Sequence, residues 1–110
     1  MTITELLSLA EKKRQMMIDL TQEMVAIPSV NPAMGGSGEY QLAQWLKKLL
    51  DSYHISYEEF SVPDQRVAEG RRVSVIVRLP GTENPDKTLW FISHTDTVSQ
   101  GALSAWDTDP

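Results

Sequence analysis

The spacing of apolar residues changes once along this chain, and that change restricts the folds it can adopt. Up to residue 53, apolar side chains recur every three or four positions, which is the period of an amphipathic helix. From Ile55 onward they alternate with polar residues or form short β-branched runs, as strands do. Helices followed by strands predict an α/β fold in two layers, and 110 residues are enough for one modest core.

Two helices are predicted before the change of period. The first covers residues 3–27, where Thr2 opens a capping box and Pro28 forces a stop. The second follows the glycine-rich residues 35–38, uses Ser37 as its N-cap and carries leucines along one face. A glycine-rich loop before a helix can bind phosphate, but the Lys-Ser/Thr pair of a phosphate-binding loop is missing. The start of the helix is enough to explain the glycines.

Three strands are predicted after the change, at residues 55–62, 73–79 and 89–92. The loops between them are short, so we expect a mixed or antiparallel sheet with the two helices packed on one face. The last run, Leu89–Ile92, is almost continuously apolar, which is typical of a strand buried on both faces with neighbours on both edges. Three strands leave an edge uncovered, so we expect residues 1–110 to be the front portion of a larger domain.

The composition excludes several classes of protein. The absence of cysteine excludes a disulfide framework and a thiolate zinc site. Ten Lys and Arg against fifteen Asp and Glu give a net charge of −5, which argues against non-specific nucleic-acid binding. No apolar run approaches the roughly 20 residues that span a bilayer, and the secretory leader pattern is missing. We therefore expect a cytoplasmic protein with no nucleic-acid or membrane partner.

One group of residues could carry chemistry, the tetrapeptide Ser93-His94-Thr95-Asp96 directly after the apolar run. Residues two apart in an extended chain project to the same side, so His94 and Asp96 can both face the end of the strand, where ligands gather in open α/β sheets. A neutral imidazole is a good zinc ligand, and a nearby carboxylate can fix its tautomer. On the triplet alone, a chance occurrence is favoured over a metal site. His54 has no carboxylate nearby in sequence and is predicted to be a cation at the C-terminal end of the second helix.

A wider pattern surrounds this tetrapeptide. An apolar run is followed by His-x-Asp-x-Val, a glycine and Trp-x-x-Asp-Pro, and upstream the segment Ile27–Pro32 ends the first helix. In this order the chain resembles the M-twenty peptidase family, which includes the zinc-dependent amidohydrolases aminoacylase, acetylornithine deacetylase and succinyl-diaminopimelate desuccinylase. The resemblance covers the N-terminal part of such proteins and runs along nearly the whole chain. The matching residues are Leu89 to Ile92, His94, Asp96, Val98, Gly101, Trp106, Asp109 and Pro110.

The resemblance implies that His94 is a metal ligand and that Asp96 is the catalytic-site carboxylate that orients it. It also implies that residues 1–110 are the N-terminal fragment of a catalytic domain, with the rest of that domain and a dimerisation domain outside this sequence. The full-length parent is then expected to be a homodimer that cleaves amide bonds of N-acyl amino acids or small peptides. Two zinc ions, or cobalt or manganese in their place, would activate the attacking water. The remaining ligands would lie beyond Pro110, so residues 1–110 alone should be inactive.

Two alternatives remain from the residues alone. The chain could be a non-catalytic α/β interaction module in which His94 and Asp96 are accidental neighbours. That alternative predicts a stable, monodisperse protein without metal affinity. The other alternative is a member of the same family that has lost its activity, which keeps the fold and loses the remaining ligands.

Overall fold

A computed structural model describes all residues from Met1 to Pro110. Three α-helices precede a two-stranded antiparallel sheet, which confirms the α/β composition, and the chain then continues without further regular strands. None of the helices has the length and apolar character needed to cross a membrane. The elements are α1 (Ile3–Lys12), α2 (Arg14–Val25), α3 (Tyr40–Ser52), β1 (Tyr57–Pro63) and β2 (Arg71–Val77), with short 3-10 turns at Pro32–Met34 and Leu103–Ala105.

The prediction of a single helix over residues 3–27 is wrong at Lys13, where α1 ends and α2 begins. The amide of Lys13 donates to the carbonyl of Ala10 at 3.0 Å, so the helical ladder tightens there, at the position where a lysine interrupts the apolar stripe. The capping box is confirmed: the Glu5 amide donates to Thr2 Oγ1 at 3.2 Å, and the Thr2 amide donates to the Glu5 carboxylate at 2.6 Å. Neither α1 nor α2 buries a residue.

Helix α3 begins three residues later than its predicted N-cap. Ser37 makes no cap, and Glu39 precedes the first helical residue with its side chain turned toward β2 rather than toward the helix amides. At the other end, the His54 amide donates to the Asp51 carbonyl at 3.0 Å and the Ile55 amide to the Leu50 carbonyl at 2.9 Å. This is a Schellman ending, with His54 in the left-handed region at φ +55°.

Strands β1 and β2 pair in antiparallel register, with Phe60 opposite Ser74. They confirm the first two predicted strands with small shifts of their ends. The loop between them closes where the Asp64 amide donates to the carbonyl of Gly70 at 2.9 Å, and Gly70 takes the positive φ of +67° that the turn requires. Helix α3 packs against β2.

The third predicted strand is wrong. Residues Leu89–Ile92 have no regular secondary structure and pair with no strand, and their exposure runs from 64% at Trp90 to 89% at Phe91 and Ile92. An apolar run forms a strand only when a hydrogen-bonding neighbour lies beside it, and β1 and β2 pair only with each other. The structure therefore has a two-stranded sheet where the sequence predicted three.

The buried core is small. Seven of the 110 residues are buried, and the apolar ones are Leu42, Ala43, Val67 and Val73. The Cα radius of gyration is 17.2 Å, whereas a compact chain of this length has about 13 Å. Packing is thus concentrated where α3 meets β2, and the segment that carries His94 is attached beside this core.

Candidate functional site

The segment that carries His94 and Asp96 is held against the loop that follows α2. The Thr97 amide donates to the Ser29 carbonyl at 2.9 Å, and the Asn31 amide donates to the Thr97 carbonyl at 2.9 Å. These bonds form an isolated parallel bridge between Val30 and Thr97. Two segments more than 60 residues apart in sequence are thereby fixed side by side.

A glycine makes this loop geometry feasible. The Gly36 amide donates to the Asn31 carbonyl at 3.2 Å, which folds the chain back over Val30. A Cβ at Gly36 would lie 2.0 Å from the Val30 carbonyl oxygen, far inside van der Waals contact. The sequence showed glycines here, but only the fold shows that the requirement at Gly36 is close approach of two backbones.

His94 is presented to solvent with one ring nitrogen engaged. Its side chain is 84% exposed, and Nδ1 lies 2.7 Å from the backbone oxygen of Asp96 and 3.4 Å from the carboxylate Oδ1 of the same residue. With a proton on Nδ1, this nitrogen donates to the Asp96 carbonyl and Nε2 keeps its lone pair. An imidazole in that tautomer, with Nδ1–H bonded to a carbonyl, is the usual form of a histidine that binds a metal through Nε2.

The carboxylate of Asp96 is engaged on its other side. Oδ2 accepts a hydrogen bond from Arg72 Nη2 at 2.8 Å and another from the Asn31 side-chain amide. The hydrogen bond from Arg72, followed by the one from Asn31, lowers the pKa of Asp96 below its ordinary value. The carboxylate is therefore ionised at neutral pH and held in one orientation.

Arg72 also binds a second, more deeply buried carboxylate. Its Nε lies 2.9 Å from Glu39 Oε1, and its Nη2 lies 2.8 Å from Glu39 Oε2. The guanidinium therefore donates two hydrogen bonds to the Glu39 carboxylate. The Glu39 side chain is 7% exposed and the Arg72 side chain 26%. The hydrogen bonds that Arg72 donates to Glu39 and then to Asp96 raise the pKa of Arg72 further above its already high value. We call the four residues Asn31, Glu39, Arg72 and Asp96 the Arg72 network.

The structure brings His94 and Asp96 together, and it adds three residues that sequence reasoning missed. Arg72 lies 24 residues from Asp96 and 33 from Glu39, and Asn31 lies 65 from Asp96, so no local pattern links them. Asn31 stands within the upstream segment that carries the family resemblance, which was the one available signal. Arg72 is the second residue of a β-branched strand next to a charged loop and has no sequence feature that sets it apart.

The sequence also pointed to His54 and to three residues near the end of the chain, Trp106, Asp109 and Pro110. His54 lies at the end of α3, as predicted, where its backbone serves the Schellman ending. Trp106 Nε1 donates to the Gln100 carbonyl at 2.9 Å and closes the loop beyond Thr97. Asp109 and Pro110 are exposed.

A metal ion could use one ligand position in this chain. The free Nε2 of His94, with Nδ1 bonded to the Asp96 carbonyl, fits that role. No group of three or more His, Asp or Glu side chains lies close enough to hold a metal ion, whereas catalytic zinc takes three protein ligands and a water. The residues therefore fit a single ligand with its supporting shell and do not complete a metal centre.

Comparison with known proteins gives the chemical class of the relatives. A protein named uncharacterized metallohydrolase from Methanocaldococcus jannaschii is 37% identical over 100 residues, which covers 84% of this chain and 23% of that protein. A second uncharacterized metallohydrolase, from Methanococcus maripaludis, is 32% identical with the same coverage. A succinyl-diaminopimelate desuccinylase from Ehrlichia ruminantium is 29% identical over 93 residues, covering 84% of this chain and 22% of that protein. No protein-family model and no solved structure matches the chain.

The chain resembles metallohydrolases. It spans about a quarter of the length of these curated relatives, 23% for the first two. The names support the predicted theme of metal-dependent hydrolysis, and they imply a metal cofactor for the relatives without giving its identity. Membership of the M-twenty family stays a prediction, as do the roles of His94 and Asp96.

Proposed function

We propose that these residues form part of a metal-dependent hydrolase in which His94 supplies one ligand to the metal and Asp96 orients the imidazole. The observation that carries the proposal is the 2.7 Å contact between His94 Nδ1 and the Asp96 backbone oxygen, which leaves Nε2 free. This contact lies in a chain whose relatives are named metallohydrolases.

The proposed substrates are N-acyl amino acids or small peptides, and the bond cleaved is an amide. The relative named succinyl-diaminopimelate desuccinylase supports this substrate class, since its name describes removal of an acyl group from an amino acid. The proposed metal is zinc, as two ions, with cobalt or manganese as alternatives. When bound, such a metal polarises a carbonyl and lowers the pKa of a coordinated water. We further propose a cytoplasmic homodimer.

The residues of this chain have defined tasks within that proposal. His94 holds a lone pair at Nε2, because its other nitrogen donates to the Asp96 carbonyl. Asp96 stays ionised, since Arg72 and Asn31 lower the pKa of its carboxyl, and its negative charge beside the ring favours electron density on the imidazole. The further ligands have to come from outside residues 1–110, so we expect no hydrolysis from these residues alone.

The experiment compares His94→Gln with His54→Gln in the full-length polypeptide. Metal content is measured by mass spectrometry after purification in zinc, and turnover is measured with N-acetyl and N-succinyl amino acids. We expect His94→Gln to lose about one metal per chain and nearly all turnover. The control removes an imidazole at the end of α3 and should keep both. Full metal content and ordinary kinetics in His94→Gln would refute the assignment.

A further inference from the structure

We propose that Arg72 is a positioning residue for His94, because it fixes Asp96 and thereby decides which nitrogen of the His94 ring is free. This inference rests on the proposed function of His94 and extends it to a residue on another element. Arg72 touches neither the imidazole nor the position of a ligand on it. It acts through Asp96, whose side chain it binds and whose backbone carbonyl holds the ring.

The geometry of Arg72 suits this task. Its guanidinium binds Glu39 at the start of α3 through Nε and Nη2, and the same Nη2 lies 2.8 Å from Asp96 Oδ2. Strand β2, which carries Arg72, is fixed by its pairing with β1 and by α3 packing against it. The carboxylate of Asp96 is thus tied to the best-packed part of the molecule, although the segment that carries it has no strand partner apart from the bridge at Thr97.

Burial distinguishes the ion pair of Arg72 with Glu39 from the ion pairs on the surface. The side chains of Arg78 and Glu58 are each more than 60% exposed, and exposed pairs of this kind add little to stability. In contrast, Glu39 and Arg72 are largely withdrawn from water. Taking two carboxylates and a guanidinium out of water costs desolvation free energy, and buried ion pairs often contribute less stability than apolar packing. What this arrangement does contribute is a fixed orientation of the Asp96 carboxylate.

The coupling to the ring follows from the contacts of Asp96, whose side chain accepts hydrogen bonds from Arg72 and Asn31 and whose backbone oxygen contacts His94 Nδ1. If its side chain is released, the carboxylate can turn away from the ring, where Oδ1 lies 3.4 Å from His94 Nδ1, and the Nδ1–H loses the negative charge that favours it. The neutral ring then moves its proton to Nε2 in part of the molecules, and Nε2 no longer offers a lone pair. Lysine at position 72 keeps the positive charge but lacks the planar fork that reaches both carboxylates at once.

The test uses the full-length polypeptide labelled with ¹⁵N-histidine, with the His94 signals assigned through His94→Gln. Arg72→Gln and Arg72→Lys are compared with Arg71→Gln, which makes the same change one position along β2, where the arginine pairs with Glu59 instead. Nitrogen chemical shifts at pH 8 without metal report which ring nitrogen carries the proton. Titration with Zn²⁺ reports affinity.

We expect the native protein and Arg71→Gln to show the proton on Nδ1. Arg72→Gln should show a mixture dominated by Nε2–H and bind Zn²⁺ about tenfold more weakly, the size of effect seen when a supporting partner of a metal-bound histidine is lost. Arg72→Lys should show a proton distribution and a Zn²⁺ affinity between those of the native protein and Arg72→Gln. A folded Arg72→Gln with the native tautomer and native Zn²⁺ affinity would overturn the proposal.

The outcome separates this inference from the proposed function. If Arg72→Gln does not fold, Arg72→Lys decides on the same two readouts, and an unchanged tautomer there also overturns the proposal. If His94→Gln leaves Zn²⁺ binding unchanged, the proposed function fails, while the tautomer shift in the Arg72 variants still tests the positioning. If His94→Gln abolishes Zn²⁺ binding but the Arg72 variants show the native tautomer, only the positioning role is wrong.

Discussion

Arg72 Nη2 lies 2.8 Å from Asp96 Oδ2, and this contact ties the segment that carries His94 to strand β2. The same nitrogen also binds Glu39 at 2.8 Å, so one guanidinium connects the start of α3, the sheet and the His94 segment. The candidate ligand of this chain is therefore held by long-range polar contacts rather than by regular secondary structure. Its geometry depends on contacts that can be removed one at a time.

Gly36 should tolerate no side chain. In Gly36→Ala the new Cβ would lie 2.0 Å from the Val30 carbonyl oxygen, so the loop must shift, and we expect destabilisation of about 1–3 kcal/mol. The shift should also break the pairing of Asn31 with Thr97 and speed hydrogen exchange of both amides. Chemical unfolding and exchange measured by mass spectrometry give the two readouts. Gly81→Ala is the control, since a Cβ there meets nothing within 4 Å, and equal stability of the two variants would contradict the prediction.

His54 occupies a position that glycine fills at less cost. Its φ of +55° strains a residue with a Cβ by about 1–2 kcal/mol, whereas glycine adopts this angle freely and loses about 0.4–1 kcal/mol through its more flexible unfolded chain. His54→Gly should therefore raise the free energy of unfolding by about 0.5–1 kcal/mol in urea titrations. His54→Ala keeps the strain and should show no such gain. A stabilising alanine or a destabilising glycine would argue against the strain at this position.

The ion pair between Glu59 and Lys47 should make stability depend on pH. Lys47 Nζ lies 2.6 Å from Glu59 Oε2 and joins α3 to β1, and the hydrogen bond from Lys47 lowers the pKa of Glu59 from its ordinary value. A carboxyl whose pKa is lower in the folded state stabilises the fold above its unfolded pKa, and the contribution is lost as pH falls through the folded value.

Glu59→Gln tests this contribution through urea titrations at pH 7 and at successive steps below pH 4.5. We expect the variant to be less stable than the native protein by about 0.5 kcal/mol at pH 7 and to approach it at acid pH. Glu83→Gln, which removes an exposed carboxylate that takes part in no ion pair, is the control. A constant difference between Glu59→Gln and the native protein over this pH range would show that the loss is not due to the charge.

The exposed apolar run Leu89–Ile92 should cause residues 1–110 to self-associate when they are produced alone. Phe91 and Ile92 are each 89% exposed, and an exposed apolar segment without strand partners readily associates with another copy. We expect oligomers in analytical ultracentrifugation that dissociate in the double variant Phe91→Glu, Ile92→Lys. Thr88→Glu, which adds a charge next to the run at another exposed position, should leave association unchanged. A monodisperse native chain would instead favour the non-catalytic module.

Features that depend on neighbours within a few residues could be predicted from the amino-acid sequence alone. The capping box of Thr2 and Glu5 and the two strands that flank the Gly70 loop were predictable, because a cap and a short antiparallel pairing use local hydrogen bonds. The proximity of His94 and Asp96 also followed from their spacing. Lys13 visibly interrupts the apolar stripe in the sequence. The sequence does not show that the helical turn tightens there and divides the helix.

The remaining features depend on contacts between residues far apart in sequence, which form only in the folded chain. The run at Leu89–Ile92 has the residues of a buried strand and yet is exposed, because a strand needs a hydrogen-bonding neighbour that its own sequence cannot specify. Ser37 lost the role of N-cap when Glu39, turned toward Arg72, became the residue that precedes α3. The Arg72 network joins residues 24 to 65 positions apart, and such contacts arise only when packing brings the elements together.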